Sequence, residues 1–278
     1  RPPTAHKPAM SSNIVFDGLT NRLWVANQDN DTVSVFNAAT NAKLAEIAVG
    51  SGPRTLAVAP DGNVWVANKH AATLSIINPS TLTVSRTIAM PFASQPFGIA
   101  FAPTGGFAYV ALEARGAVLK LDAATGAVLA SVAVGRSPRH VSVDADGAHL
   151  YVSRFITPPL PGEHTAQVVP GAAGGEVLRV AAASMTILGT ITLGYSDLPD
   201  FEIQGSGIPN YLGAVALSPD GLSAWVPSKQ DNVLRGSLRS GANLNFQNTV
   251  RAIASPIDLT TGVADLNSRG DLHNASLA

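Results

Sequence analysis

The side chains able to do chemistry are few, and their spacing decides what they can form. Six histidines (His6, His70, His140, His149, His164 and His273) are scattered so that no two stand at i,i+2 or i,i+4, and no linear metal motif arises. Asp144-Ala145-Asp146-Gly147 begins like a calcium loop but lacks the distal Glu, and it reads as a turn. Carboxylates such as Asp29 and Asp31 stand among turn-forming Asn residues. Cysteine is absent, which removes disulfides, thiolate nucleophiles, zinc ribbons and covalent CxxCH haem. No G-x-S-x-G, no GxGxxG opening a helix and no Walker sequence occurs. The residues therefore assign no catalytic group, no metal ligand and no cofactor.

The elements that position these groups repeat. An aromatic residue, Val, a small residue and a further residue recur as Trp24-Val25-Ala26-Asn27, Trp65-Val66-Ala67-Asn68, Tyr109-Val110-Ala111-Leu112, Tyr151-Val152-Ser153-Arg154 and Trp225-Val226-Pro227-Ser228. The aromatic steps are 41, 44, 42 and 74 residues, the last being one repeat plus an insertion. A second marker keeps the same phase: Pro53-Arg54, Pro96-Phe97, Pro138-Arg139 and Pro209-Asn210 each precede an apolar run. That run then meets a turn such as Pro60-Asp61-Gly62 or Pro219-Asp220-Gly221. Within residues 55–94 the alternation predicts four strands, at Thr55–Ala59, Asn63–Asn68, Thr73–Asn78 and Val84–Met90. Four short strands per repeat of this length predict a β-propeller of four-stranded antiparallel blades, an all-β fold.

These signatures resemble the YVTN repeat family of bacterial β-propellers. The Asp31–Val35 run, the Ala123–Gly126 turn and the Pro-Arg and Pro-Asp-Gly turns fit the resemblance, over roughly residues 13–230. The aromatic and Val are kept, the family's Thr becomes small, and its Asn is lost after the second repeat. The blades fall near 13–52, 53–95, 96–137, 138–208 and 209–260, after an extension at 1–12 and before the start of a further blade at 261–278. The resemblance implies a seven-bladed ring, so about five blades read as part of a chain cut at both ends; a closed five-bladed ring is the alternative. Blade four holds an insertion at Phe155–Glu176, and a second extension runs from Tyr195 to Tyr211.

In a propeller the loops at the strand ends are where ligands are met. The candidate ligand-binding residues are Arg54, His70, Glu113, Arg139, His140, Arg154, Asn210, Tyr211 and Lys229, with Phe97, Lys69 and Asp231 on the same loops. Arg54 and Arg139 offer guanidinium forks for a carboxylate or phosphate, or else pair structurally between blades. The blade aromatics Trp24, Trp65, Tyr109, Tyr151 and Trp225 read as packing residues.

Composition narrows the function. Charged residues are 13% of the chain and net charge is −1, so a basic nucleic-acid footprint is missing. No apolar run is long enough to span a membrane as a helix. The expectation is a non-enzymatic, extracytoplasmic (periplasmic or extracellular) binding or protein-interaction scaffold, in keeping with the exported bacterial proteins of the family. Its partner is a protein or a small molecule. The alternative is a metal-dependent hydrolase or lyase, or a propeller associated with a haem-containing redox domain in a longer chain. Clustering of His140 with His70 or Glu113 would favour a metal site.

Overall fold

The computed structural model describes residues 9–162, 173–201, 204–234, 236, 241, 243, 245–265 and 268–272. These residues form five antiparallel sheets, consistent with propeller blades. In chain order the strands are β1 (Ala9–Met10), β2 (Ile14–Asp17), β3 (Arg22–Asn27), β4 (Thr32–Asn37) and β5 (Lys43–Ala48). Then come β6 (Pro53–Val58), β7 (Val64–Asn68), β8 (Thr73–Asn78), β9 (Thr83–Ala89), β10 (Pro96–Phe101), β11 (Phe107–Leu112), β12 (Ala117–Asp122) and β13 (Val128–Ala133). The next four are β14 (Pro138–Val143), β15 (His149–Arg154), β16 (Gly174–Ala181) and β17 (Thr186–Gly194). The last are β18 (Ile208–Asn210), β19 (Ala216–Leu217), β20 (Ser223–Asp231), β21 (Val250–Asp258), β22 (Val263–Ala264) and β23 (Gly270–Asp271). The sheets run β2-β3-β4-β5, β6-β7-β8-β9, β10-β11-β12-β13, β1-β14-β15-β16-β17 and β18-β20-β21-β22, with β19 on β20 and β23 on β21. The four strands expected at 55–94 are β6 to β9, each within two residues of its expected bounds.

The chain divides into two compact units, residues 1–152 with 180–187, and residues 153–179 with 188–278. In the first unit the turns after β6, β10 and β14 are each closed by one backbone bond. Gly62 donates to Ala59 and Gly105 to Ala102, both at 2.8 Å, and Gly147 to Asp144 at 3.1 Å. The three glycines hold φ of +86°, +82° and +74°, a region a Cβ disfavours. At the end of the third strand an Asn or Asp caps the next turn. Asn37 accepts from the amides of Ala39 and Thr40, Asn78 from Ser80 and Thr81, and Asp122 from Thr125.

Packing between neighbouring sheets supplies the core. Trp24, Val33, Val35 and Ile47 meet Leu56, Val64, Val66 and Ile77 of the next sheet. Trp65, Leu74 and Ile76 meet Ile99, Phe101 and Val110, with the Trp65 and Phe101 rings edge to face at 5.3 Å. Each such buried side chain contributes about 1.5–3 kcal/mol. A basic side chain then latches each sheet to a turn of the next. Arg22 donates to Pro79 O, Arg86 to Ala124 O at 2.6 Å and Lys120 to Ala182 O at 3.0 Å.

In the second unit two arginines brace the last sheet, one bonding within it and one also reaching across to β17. Arg251 is 1% exposed and pairs with Asp271 at 2.5 Å. Arg269 donates to Gln230 Oε1 and Ser255 Oγ at 3.1 Å and to Gly194 O at 2.8 Å. Asp200 accepts from Asn232 Nδ2 and from the Ser206 amide. One expectation is corrected here. Trp24, Trp65, Tyr109 and Tyr151 are buried as packing residues, but Trp225 is 44% exposed. It stands on the face of β20 shared with the exposed Pro227, while Ala224 and Val226 turn inward.

Candidate functional site

The residue that follows the aromatic-Val repeat in one sheet meets the head of the first strand in the next. The position is constant and the chemistry changes. In the first unit Arg54 Nη1 donates to Gln28 Oε1. Lys69 Nζ lies 5.7 Å from the centroid of the Phe97 ring. Arg139 Nε donates to Glu113 Oε1 at 2.9 Å. In the second unit Tyr211 stacks on Phe155 at 4.5 Å with 9° between the ring planes. Gln28, Lys69, Glu113 and Phe155 each stand four residues after a repeat aromatic.

The Lys69–Phe97 and Arg139–Glu113 pairs merge into one cluster. Glu113 bridges two cations, with Lys69 Nζ on Oε2 at 2.6 Å and Arg139 on Oε1. Its carboxylate leads a single 3-10 turn, Glu113–Arg115, closed by Gly116 at φ +61°. Phe97 lies beneath both cations, with Arg139 Cζ 5.1 Å from its centroid. Phe97 also meets the His140 ring at 5.2 Å, edge to face. Burial, then the Arg139 cation, lower His140 from 6.5 to about 4, against the opposing pull of Glu113. The imidazole is therefore neutral at pH 7, and its buried Nδ1 meets no hydrogen-bond partner among the described residues. The close approach of strands β10 and β14 makes this possible. A Cβ on Gly98 would lie 2.5 Å from Arg139 O and 2.9 Å from both His140 Cα and Val141 N.

His70 stands elsewhere. It is exposed, and its ring rests on Gly52, where a Cβ would sit 2.6 Å from Nδ1. The remaining candidates gather in the second unit. Arg154 pairs with Glu176, and Lys229 Nζ lies 3.9 Å over the Tyr211 ring and 3.0 Å from Asp231 Oδ1. Asn210 Nδ2 donates to Asp231 Oδ2 at 2.9 Å, while its Oδ1 accepts from the Thr157 and Tyr211 amides. Tyr211, at φ +54° and 46% exposed, is held in place between Phe155 and Lys229.

Among the described residues the only group of three or more metal-ligand side chains is Asp144, Asp146 and His149, with ligand atoms within 4.8 Å of one another. Glu113, His70 and His140 do not form one, and His164 lies outside the described residues together with the rest of 163–172. Asp144 accepts from the His149 amide at 3.0 Å and meets His149 Nδ1 at 2.8 Å. Burial raises the Asp144 carboxyl, while the Ala148 amide lowers that of Asp146. Residues 144–147 form the turn expected of them, with Gly147 donating to Asp144 O at 3.1 Å, and His149 joins it although it was not among the expected site residues. The D-x-D-x-x-H spacing was the available signal. Gln28, Phe155 and Glu176 were also missed, and only the constant position after the repeat aromatic could have pointed to the first two. No helix among the described residues is long and apolar enough to cross a membrane.

Comparison with known proteins places this geometry. Hydrazine synthase of Kuenenia stuttgartiensis superposes with a TM-score of 0.74 at 19% identity, over 99% of this chain and 68% of that one. A Lactobacillus plantarum protein superposes with 0.59 at 19% identity, covering 92% and 70% of the two chains. A functionally unknown protein from Desulfotomaculum acetoxidans gives 0.57 at 13% identity, over 95% and 86%. At these identities the likeness is one of fold. No curated protein sequence matches the chain. A family model described as YNCE-like beta-propeller matches residues 9–156, more than half the chain. Sheets with the strand order of blades and a family match over that span carry one conclusion: the chain belongs to the YNCE-like beta-propeller family.

Proposed function

We propose that this chain is a non-enzymatic, exported β-propeller of the YVTN type, which binds an anionic protein segment or small ligand at the heads of its first strands. The observation that supports this is the charge of the Phe97 cluster. Two cations, Lys69 and Arg139, share the one carboxylate of Glu113 over the Phe97 ring, and Arg54 stands at the equivalent strand head of the preceding sheet, where Asp31 accepts from the Gly52 amide at 2.7 Å. Lys69 and Arg139 keep 12% and 22% of their side-chain exposure, so the cluster reaches solvent. A local excess of positive charge with pre-positioned donors favours carboxylates and phosphates. Calorimetric titration with poly-L-glutamate at low salt tests it, with poly-L-lysine as the control. Binding should be lost in Arg54→Ala and Lys69→Ala; equal binding of both polymers, or binding unchanged in both variants, refutes the reading.

A second reading is a propeller acting beside a haem-containing redox domain in a longer chain. The hydrazine synthase that shares this fold is an enzyme by its name, and the superposition covers 68% of that chain, so the fold does occur within a longer enzyme chain. A Soret band in the protein purified from its source would support this reading, and a preparation of larger mass without one would refute it.

A further inference from the structure

Residues 9–13 of the first unit do something that no repeat position explains. They run across the free edges of three successive first strands and give each one a partner. Ala9 and Met10 pair with Val143 and Ser142 on β14. Ser11 is 3% exposed, and its Oγ accepts from the Ile99 amide of β10 at 2.8 Å. Ser12 exchanges both backbone bonds with Leu56 of β6, at 2.8 and 3.2 Å. Asn13 O then accepts from Ala26 at 2.9 Å, and the chain enters β2. Each first strand pairs with its second strand on one side only, so its outward amides and carbonyls need another partner when water is excluded. With residues 9–13 in place Leu56, Ile99 and Val143 are each 0% exposed, so the segment completes the cover over these groups.

We infer that the outer edges of β6, β10 and β14 together form an acceptor for an extended peptide, and that residues 9–13 occupy it in cis. The ligand class is an extended segment with a hydroxyl residue where Ser11 stands. Backbone bonds supply the attachment and the hydroxyl supplies the register, as in other strand-addition modes. Only small residues, Ser11 and Ser12, stand at the two crossings between sheets, which suits a slot between closely packed strands. Because the cis segment is covalently attached, it acts at a high effective concentration and excludes a free peptide until it is weakened. This inference is independent of the cationic cluster at Phe97.

The test uses the full chain and a fluorescein-labelled peptide copying Lys7–Asn13. Ser12→Pro removes the donor to Leu56 O and disfavours the cis crossing, and Ser11→Ala, a milder change, removes the acceptor for Ile99 N–H. Hydrogen exchange should show the fragments holding Leu56 and Ile99 protected in the native chain. Protection should fall in each variant that retains its cooperative melt, and return on adding peptide. Fluorescence anisotropy should show the peptide binding the variants at least about tenfold more tightly than the native chain, with the Ser11→Ala peptide weaker on Ser12→Pro. Equal binding to native and variant chains overturns the inference, because the peptide then binds elsewhere. Loss of protection that no peptide restores also overturns it, because the segment would then be a strap without an exchangeable acceptor. Solvent-like exchange at Leu56 and Ile99 in the native chain overturns it outright.

Discussion

Replacing Gly98 by Ala tests whether the approach of strands β10 and β14 is what assembles the Phe97–His140–Arg139 cluster. The added Cβ would meet three backbone atoms, Arg139 O at 2.5 Å and His140 Cα and Val141 N at 2.9 Å. Backbone cannot swing aside as a side-chain tip can, so the two strands must separate by several tenths of an ångström. Overpacking of this kind costs about 1–3 kcal/mol, and three simultaneous backbone contacts put Gly98→Ala at the upper end, about 3 kcal/mol. For a chain of this size that corresponds to a fall in Tm of roughly 6–12 °C. Gly106→Ala is the control, because a Cβ there meets nothing within 4 Å and Gly106 is not among the positive-φ glycines. Differential scanning calorimetry of both variants is the assay. The separation should also loosen Phe97 from His140, so the His140 ring protons should shift in Gly98→Ala and not in Gly106→Ala. Equal melting of the two variants, or a Gly98→Ala midpoint within about 2 °C of the native one, would mean that the strands yield without cost and that their approach does not assemble the cluster.

Four further outcomes are expected. Glu113→Gln leaves Lys69 and Arg139 facing each other without a counter-charge; it should cost about 1–3 kcal/mol in urea unfolding and tighten poly-L-glutamate binding. Because folding depresses His140 from 6.5 to about 4, the unfolded chain binds more protons in that window. The stability from this group is full above about pH 6.5 and falls by up to about 3 kcal/mol on acidification towards pH 4. His140→Gln should remove that part of the slope in urea midpoints measured across the window. Lys120→Met keeps the apolar stem but loses the bond from a buried ammonium to Ala182 O; it should cost about 2 kcal/mol, and the more exposed Arg86→Met about half as much. Iodide should quench Trp225, which is 44% exposed, and spare Trp24 and Trp65 at 0% and 1%, as single-Trp variants would show.

The strands and turns were legible because they follow from local chemistry. A two-residue alternation between Gly- and Pro-bearing turns is a property of neighbouring residues, so β6 to β9 fall where the pattern placed them. The burial of Trp24, Trp65, Tyr109 and Tyr151 was legible for the same reason, since each occupies the same place in its repeat. Trp225 shows the limit of that reasoning. Its position in the repeat is the same, but burial needs a facing sheet, and sequence period does not say whether one is there.

The candidate site divides along the same line. The repeat pattern fixes which positions stand at the strand ends, and so singles out Arg54, Glu113, Arg139, His140, Arg154, Asn210, Tyr211 and Lys229. What each one meets depends on the packing of one sheet against the next. Arg139 finds Glu113 26 residues away and Lys69 finds Glu113 44 residues away, because sheets one repeat apart in sequence are neighbours in space. The same tertiary proximity sends residues 9–13 across the edges of β6, β10 and β14. Periodicity encodes where a side chain stands within its own sheet. Its partner belongs to another sheet, set by packing between faces, and that is information no single repeat contains.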